Sequence, residues 1–197
     1  MQKIMFNDKY GLTKAVLERK KTQTRRVINS RDCVFERLLW GKPNKQCATF
    51  NNGTIAFDVY PQYQVGEVVA IAQSYKDAKV DCDFRFAPAI SKEQAKMLAG
   101  LNNKMFVKSE LMQHHIKITN VRVERLQDIS EEDCLAEGIY ATEDPLCPQR
   151  LMYTFEGAKF LRFEPKDAYA DLIDKVGKKG TWDSNSWVFV YDFELID

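Results

Sequence analysis

Histidine is scarce in this chain: there are two among 197 residues, and they are adjacent, so a strand would aim them to opposite faces and a helix would splay them. The five cysteines, at 33, 47, 82, 134 and 147, include no Cys-x-x-Cys pair, and an odd number leaves no complete disulfide set. These shortages argue against a zinc site and a disulfide framework. They predict no metal, no cofactor and reduced, mostly structural thiols. Long apolar runs are missing too: nothing approaches the ~18–20 consecutive apolar residues of a membrane helix, and Met1–Asp8 lacks the apolar stretch of a signal peptide. The expectation is a soluble, cytoplasmic protein with no membrane partner. No internal repeat and no Pro/Gly/Ser-rich linker divides the chain, so residues 1–197 are read as a single domain.

What is present suits a globular core. The apolar fraction is 45% and the charged fraction 29%, with twelve Phe, eight Tyr and three Trp to supply bulk, which excludes a disordered tail. Formal charge is nearly balanced at +1 but segregated along the chain. Residues 1–50 carry 12 Lys or Arg against 4 Asp or Glu, whereas residues 51–197 carry 17 against 24. Lys14, Arg19, Lys20, Lys21, Arg25, Arg26 and Arg31 are opposed in their window only by Glu18. Two readings fit: an anionic partner, or a basic face neutralised by the acidic remainder after folding.

Local patterns predict a short strand in 1–6, a helix over 9–19 with Leu12, Ala15 and Val16 on one face, and a strand over 22–28. Asn51-Asn52-Gly53 predicts a tight turn between strands at 46–50 and 54–60. Residues 67–72 read as a largely buried strand. Ser91 and Gln94 have capping-box spacing for a helix through Leu98 that Gly100 stops. The apolar parity of Ile116, Ile118, Val121 and Val123 shifts midway, which predicts a bulge near Thr119-Asn120. Ser130 caps a helix ending at Gly138. Pro165 opens another with an apolar stripe of Ala168, Tyr169, Leu172, Ile173 and Val176 before Gly177, and a strand over 187–196 closes the chain. The fold class is α+β, a mixed, partly closed β-barrel with peripheral short helices. The weakly patterned stretches 29–45, 76–90 and 141–163 are expected to be loops, within insertions placed near 29–63, 76–115 and 141–163.

Residues 17–26 set an amine, two hydroxyls and two guanidiniums together at a helix-to-strand junction. Arg25 and Arg26 can fork onto phosphate or pair with the acidic remainder. A lysine crowded by like charge has its neutral, basic form favoured, and such an amine can activate a threonine hydroxyl. Lys21 and Thr24 have opposite parity, however, so they meet only if the chain turns near Thr22.

The window Lys21-Thr22-Gln23-Thr24-Arg25-Arg26 resembles the Lys-Thr-x-Thr-x-Arg signature of the ASCH (activating signal cointegrator homology) family, a branch of the PUA-like superfamily. The likeness starts at Ile4-Met5-Phe6-Asn7. It continues through Val65-Gly66-Glu67-Val68-Val69, residues 118–126, residues 129–139 and Trp182-Asp183-Ser184-Asn185-Ser186-Trp187, and is nearest to the longer bacterial and phage-encoded members. Ala72-Gln73-Ser74-Tyr75 stands where many longer relatives carry Arg-Glu-Thr-Trp. The resemblance implies a PUA-like barrel that binds RNA or a modified nucleoside. It also implies hydrolysis of the acetamide of N4-acetylcytidine, with Lys21 as general base, Thr24 as nucleophile or orienter, and Glu137 positioning the amide or relaying a proton. Ligand contacts would come from Lys20, Thr22, Arg25, Arg26, Ser74, Tyr75, Trp182 and Trp187. The alternatives are a non-catalytic RNA-binding module or a phage-derived structural or regulatory protein. In those, Glu137 faces solvent and the aromatics belong to the core.

Overall fold

The computed structural model describes residues 1–29, 33–41, 45–78 and 98–197. The first elements are β1 (Lys3–Ile4) and α1 (Leu12–Leu17), which buries Leu12 and Val16. Arg19, at φ 57°, takes the left-handed turn after α1, so that the amides of Lys20 and Lys21 both return to the Ala15 carbonyl. That reversal releases the chain into β2 (Gln23–Val27). There follow β3 (Val34–Gly41), β4 (Lys45–Asn51), β5 (Ala56–Val59), β6 (Val68–Ile71) and β7 (His115–Arg125). The second half holds α2 (Glu131–Ala136), β8 (Tyr140–Asp144), β9 (Cys147–Thr154), α3 (Pro165–Val176) and β10 (Trp187–Leu195).

These strands make three sheets: a five-stranded one in the order β1-β6-β7-β10-β2, a three-stranded one in the order β3-β4-β5, and the β8–β9 hairpin. In the largest, β1 and β6 run parallel and every other neighbour is antiparallel. The fold is therefore α+β and sheet-rich with a few short helices, and among the described strands no ladder joins the ends of a sheet into a barrel. Ile4, Val16, Ile71, Ile116, Ile118, Leu126, Val188 and Val190 form the buried centre of the main core. Each such side chain contributes roughly 1.5–3 kcal/mol by leaving water. Among the described residues no helix is long and apolar enough to cross a membrane.

Several local expectations meet their physical causes here. In β7, Asn120 pairs with Asp192 and Ile118 with Phe193, which leaves Thr119 as the extra residue of a bulge. Between β4 and β5, Asn52 Oδ1 accepts from the amides of Thr54 and Ile55, and Gly53 has φ +87°. The Ser130 hydroxyl accepts from the Asp133 amide at 3.1 Å, and Gly138, at φ +105°, ends the turn after α2. Pro165 occupies the first turn of α3, whose Ala168, Tyr169 and Leu172 are buried.

Two expectations are corrected. Residues 29–45 are not all loop, because β3 pairs along β4, and residues 141–163 contain most of the β8–β9 hairpin. Val34, Leu39 and Trp40 of β3 are exposed, as are the first five residues of β9, so backbone pairing defines these strands and burial leaves no alternating pattern to read. The helix expected from Ser91 begins outside the described residues, which show only its end at 98–100.

Candidate functional site

Strand alternation and register build a polar layer on one face of the large sheet. Val190 of β10 lies opposite Arg25 of β2 and Arg122 of β7, while Asp192 lies opposite Gln23 and Asn120. Glu124 shares that parity on β7. Helix α2 delivers two more carboxylates to this layer, Asp133 from its first turn and Glu137 from its C-cap.

Lys21 is 2% exposed, and its amine donates to the Gln23 carbonyl at 2.7 Å, the Glu137 carbonyl at 2.7 Å and Glu137 Oε2 at 2.5 Å. All three ammonium protons thereby find acceptors. Arg25, whose side chain is fully buried, donates from Nη2 to Asp133 at 2.7 Å and Glu124 at 3.1 Å, and from Nη1 to Glu137 at 3.3 Å and to Gln23 Oε1. Arg122 clamps Asp192 through Nη1 at 2.7 and 2.9 Å, reaches Asp133 at 2.7 Å and pairs with Glu124 through Nε. Gln23 Nε2 donates to Asp192 at 2.7 Å and Asp133 at 3.0 Å. Lys21, Arg25 and Arg122 are thus set among Glu124, Asp133, Glu137 and Asp192.

Burial and pairing pull the titrations in different directions. Loss of water pushes the Lys21 amine below its ordinary 10.5, and the attraction of Glu137 only partly offsets that. Burial also opposes the Arg25 charge, but Glu137 and the other carboxylates outweigh it and hold the guanidinium above its usual value. Asp133 resists a burial effect in the other direction, and its bonds to Gln23 and Arg25 hold it low. Burial pushes the Cys134 thiol, on the same helix, up to about 12 and raises the Tyr169 phenol. Tyr169 Oη and Arg25 Nε are both buried without a hydrogen-bond partner among the described residues.

Of the residues that the ASCH resemblance points to, Lys21, Arg25 and Glu137 come together. Thr24 is buried and lies opposite Tyr191 in the ladder, and its hydroxyl makes no hydrogen bond to Lys21 or Glu137. Arg26 donates to the Met5 carbonyl at 2.8 Å and lines a separate cavity of about 710 Å3 with Lys3 and Tyr63. Thr22 is held through its backbone, to the Ala136 carbonyl and the Phe193 amide. Lys20 is exposed and pairs with Glu18 at 2.6 Å.

Ser74 bonds Asp77 at 2.6 Å, and Tyr75 is buried in a second apolar cluster with Ala70, Ala72, Val107 and Met112. Trp182 packs edge-on against Tyr169 with centroids 6.1 Å apart. Trp187 has Arg125 over its ring at 4.1 Å and Phe35 and Phe50 within 6.1 Å, while its Nε1 donates to the Cys33 carbonyl. The layer also contains residues that sequence reading missed: Gln23, Arg122, Glu124, Asp133 and Asp192. Only Arg122 and Glu124 left a local signal, the alternation Asn120-x-Arg122-x-Glu124 between apolar valines, which marks a polar face awaiting a polar cover but not its partners.

Among the described residues no group of three or more His, Cys, Asp or Glu is placed to hold a metal ion. No protein-family model, curated protein or solved structure matches the chain.

Proposed function

We propose that the chain is a PUA-like protein of the ASCH type, its five-stranded sheet forming the wall of a partly closed barrel, and that it binds RNA or a modified nucleoside and hydrolyses the amide of an N-acylated cytidine. The observation that carries this reading is the buried contact, at 2.5 Å, between the Lys21 amine and the Glu137 carboxylate, which lie 116 residues apart in the chain. Burial brings the neutral form of the amine closer to physiological pH, as a general base requires, and that form gives up one of the three donor contacts and offers a lone pair in its place.

In this mechanism Lys21 takes a proton from the attacking oxygen, either a water that Thr24 orients or the Thr24 hydroxyl itself. That oxygen bonds to the acyl carbon, the carbon–nitrogen bond breaks, and the exocyclic nitrogen receives a proton relayed through Glu137. A threonyl ester, if formed, is cleaved by water. The net reaction consumes one water and yields cytidine, a carboxylate and a proton.

The test is to incubate the full chain with N4-acetylcytidine and follow cytidine by chromatography. Release is expected from the native chain and should be lost in Lys21→Arg, which keeps the positive charge but cannot serve as a base. No release from the native chain, or undiminished release from Lys21→Arg, overturns the reading. RNA binding without turnover is a second reading, favoured by the missing hydrogen bond between Thr24 and Lys21. It predicts salt-dependent RNA association in a chain that releases no cytidine.

A further inference from the structure

A cavity of about 930 Å3 lies between the end of β2, the start of β10 and the loop after α3. Its described walls carry three cations, Arg125, Lys178 and Lys179, and the hydroxyls of Thr181, Ser184 and Ser186, with no carboxylate. Lys178 and Lys179 are exposed, and among the described residues none of the three cations forms an ion pair. Three positive charges around one hollow repel one another unless an anion joins them.

The walls are also held in place. Arg125 lies over the ring of Trp187 and spends one donor on the Asn185 carbonyl at 3.2 Å, leaving other N–H groups for a ligand. Trp187 in turn is pinned to the Cys33 carbonyl at 2.8 Å. Across the hollow, both carboxylate oxygens of Asp174 accept backbone amides, from Trp182 at 2.8 Å and Gly180 at 2.9 Å. The Thr181 hydroxyl closes the same loop, accepting from the Lys178 amide at 3.1 Å and donating to its carbonyl at 2.6 Å. These bonds hold the backbone of the loop that carries Lys178 and Lys179 on one wall of the cavity.

A planar guanidinium and two ammonium groups, with no carboxylate among the described walls, suit a tetrahedral oxyanion, while Thr181 and Ser184 spend their hydroxyl protons on the Lys178 and Thr181 carbonyls. Arg125 already sits over the ring of Trp187, and Phe35 and Phe50 pack against it at tilted and edge angles, so charge rather than base stacking defines this hollow. We propose that the cavity binds the phosphate of a nucleotide, either a free mononucleotide or one link of an RNA strand. The nucleotide part rests on the function proposed above, and the phosphate part on the charge of the cavity.

The test measures binding of a ten-nucleotide oligocytidylate RNA by fluorescence anisotropy and of cytidine 5′-monophosphate by calorimetry. The full chain is compared with its Lys178→Glu/Lys179→Glu double variant. The variant should weaken RNA binding at least about tenfold and flatten the salt slope by about 0.7, the share of one phosphate no longer neutralised on a single strand. Weakening of both probes assigns the cavity to phosphate in either form. Weakening of one alone assigns it to the strand or to the free nucleotide. Affinities unchanged by the double variant, or no binding of either probe to the native chain, overturn the proposal. Lys21→Arg separates this inference from the hydrolase reading, since it should abolish cytidine release and still bind both probes. A native chain that binds the probes but never releases cytidine loses the hydrolase and keeps the phosphate site.

Discussion

Lys21, Arg25 and Arg122 lie on one face of the β2–β10–β7 sheet with four carboxylates among them, whereas Arg125, Lys178 and Lys179 surround a hollow whose described walls contain none. Arg122 and Arg125 are three residues apart on the same strand, so net charge along the chain does not separate the two groups. Pairing does, since Arg122 and Arg125 are both half-buried but only Arg122 meets carboxylates among the described residues. A cation taken out of water, as Lys21 and Arg25 are, must be paired or lose its proton, and the sheet face meets that demand internally. A cation left at a cavity mouth keeps its water and stays available to a ligand. The first group is thus suited to structure and proton chemistry, and the second to holding an anion.

The sharpest way to break this contrast is Arg25→Met. It removes a fully buried guanidinium and leaves Asp133, Glu124 and Glu137 facing one another, which should cost about 3–5 kcal/mol. Thermal melting should show this as a fall of about 10 °C. Full retention of the melting temperature would mean that the network is not what holds α2 to the sheet.

Glu137→Gln is milder, at about 1–3 kcal/mol by chemical denaturation at pH 7, since Lys21 can release its proton when its carboxylate is gone. The sign with pH follows from the lowered Lys21 value. Between that value and 10.5 the unfolded chain binds more protons than the folded one, so this group favours folding increasingly as pH rises through the window. Losing Glu137 lowers the amine further, and the deficit of the variant should therefore shrink from pH 7 toward pH 10. A deficit that grows with pH would contradict the assignment.

Ser130→Ala removes the cap of the helix that carries Asp133 and Glu137 and should cost about 1 kcal/mol. At the other end of the scale, Lys178→Glu/Lys179→Glu should leave stability within about 0.5 kcal/mol, because both side chains are exposed and form no ion pair among the described residues. A large destabilisation there would place these lysines in the structure rather than at a binding surface.

The elements legible in the sequence are those whose signal is local. The Asn-Gly turn, the Ser130–Gly138 helix, the Pro165 helix and the Thr119 bulge each announce themselves through a cap, a positive φ or a break in parity. Strands β3, β8 and β9 were missed because too few of their side chains are buried to set a regular alternation: Phe35 and Leu38 of β3 and Met152 and Thr154 of β9 pack inward, and most of the others face water. At the site, motif position pointed to Lys21, Arg25 and Glu137, and the left-handed turn at Arg19 supplies the reversal that brings Lys21 back over Ala15. Neither Arg122 nor Asp192 was legible as a site residue, since their pairing depends on which strands lie side by side. The phosphate hollow was invisible for the same reason: its three cations come from β7 and the loop after α3, inside the more acidic part of the chain.

The chemistry assigned to Lys21 requires that burial outweigh the attraction of Glu137, and the most direct measurement is an NMR titration of the Lys21 side chain, assigned by comparison with Lys21→Arg. The expected midpoint lies below the ordinary 10.5. A midpoint at or above that value would leave the amine a permanent cation in a salt bridge and contradict its role as a base.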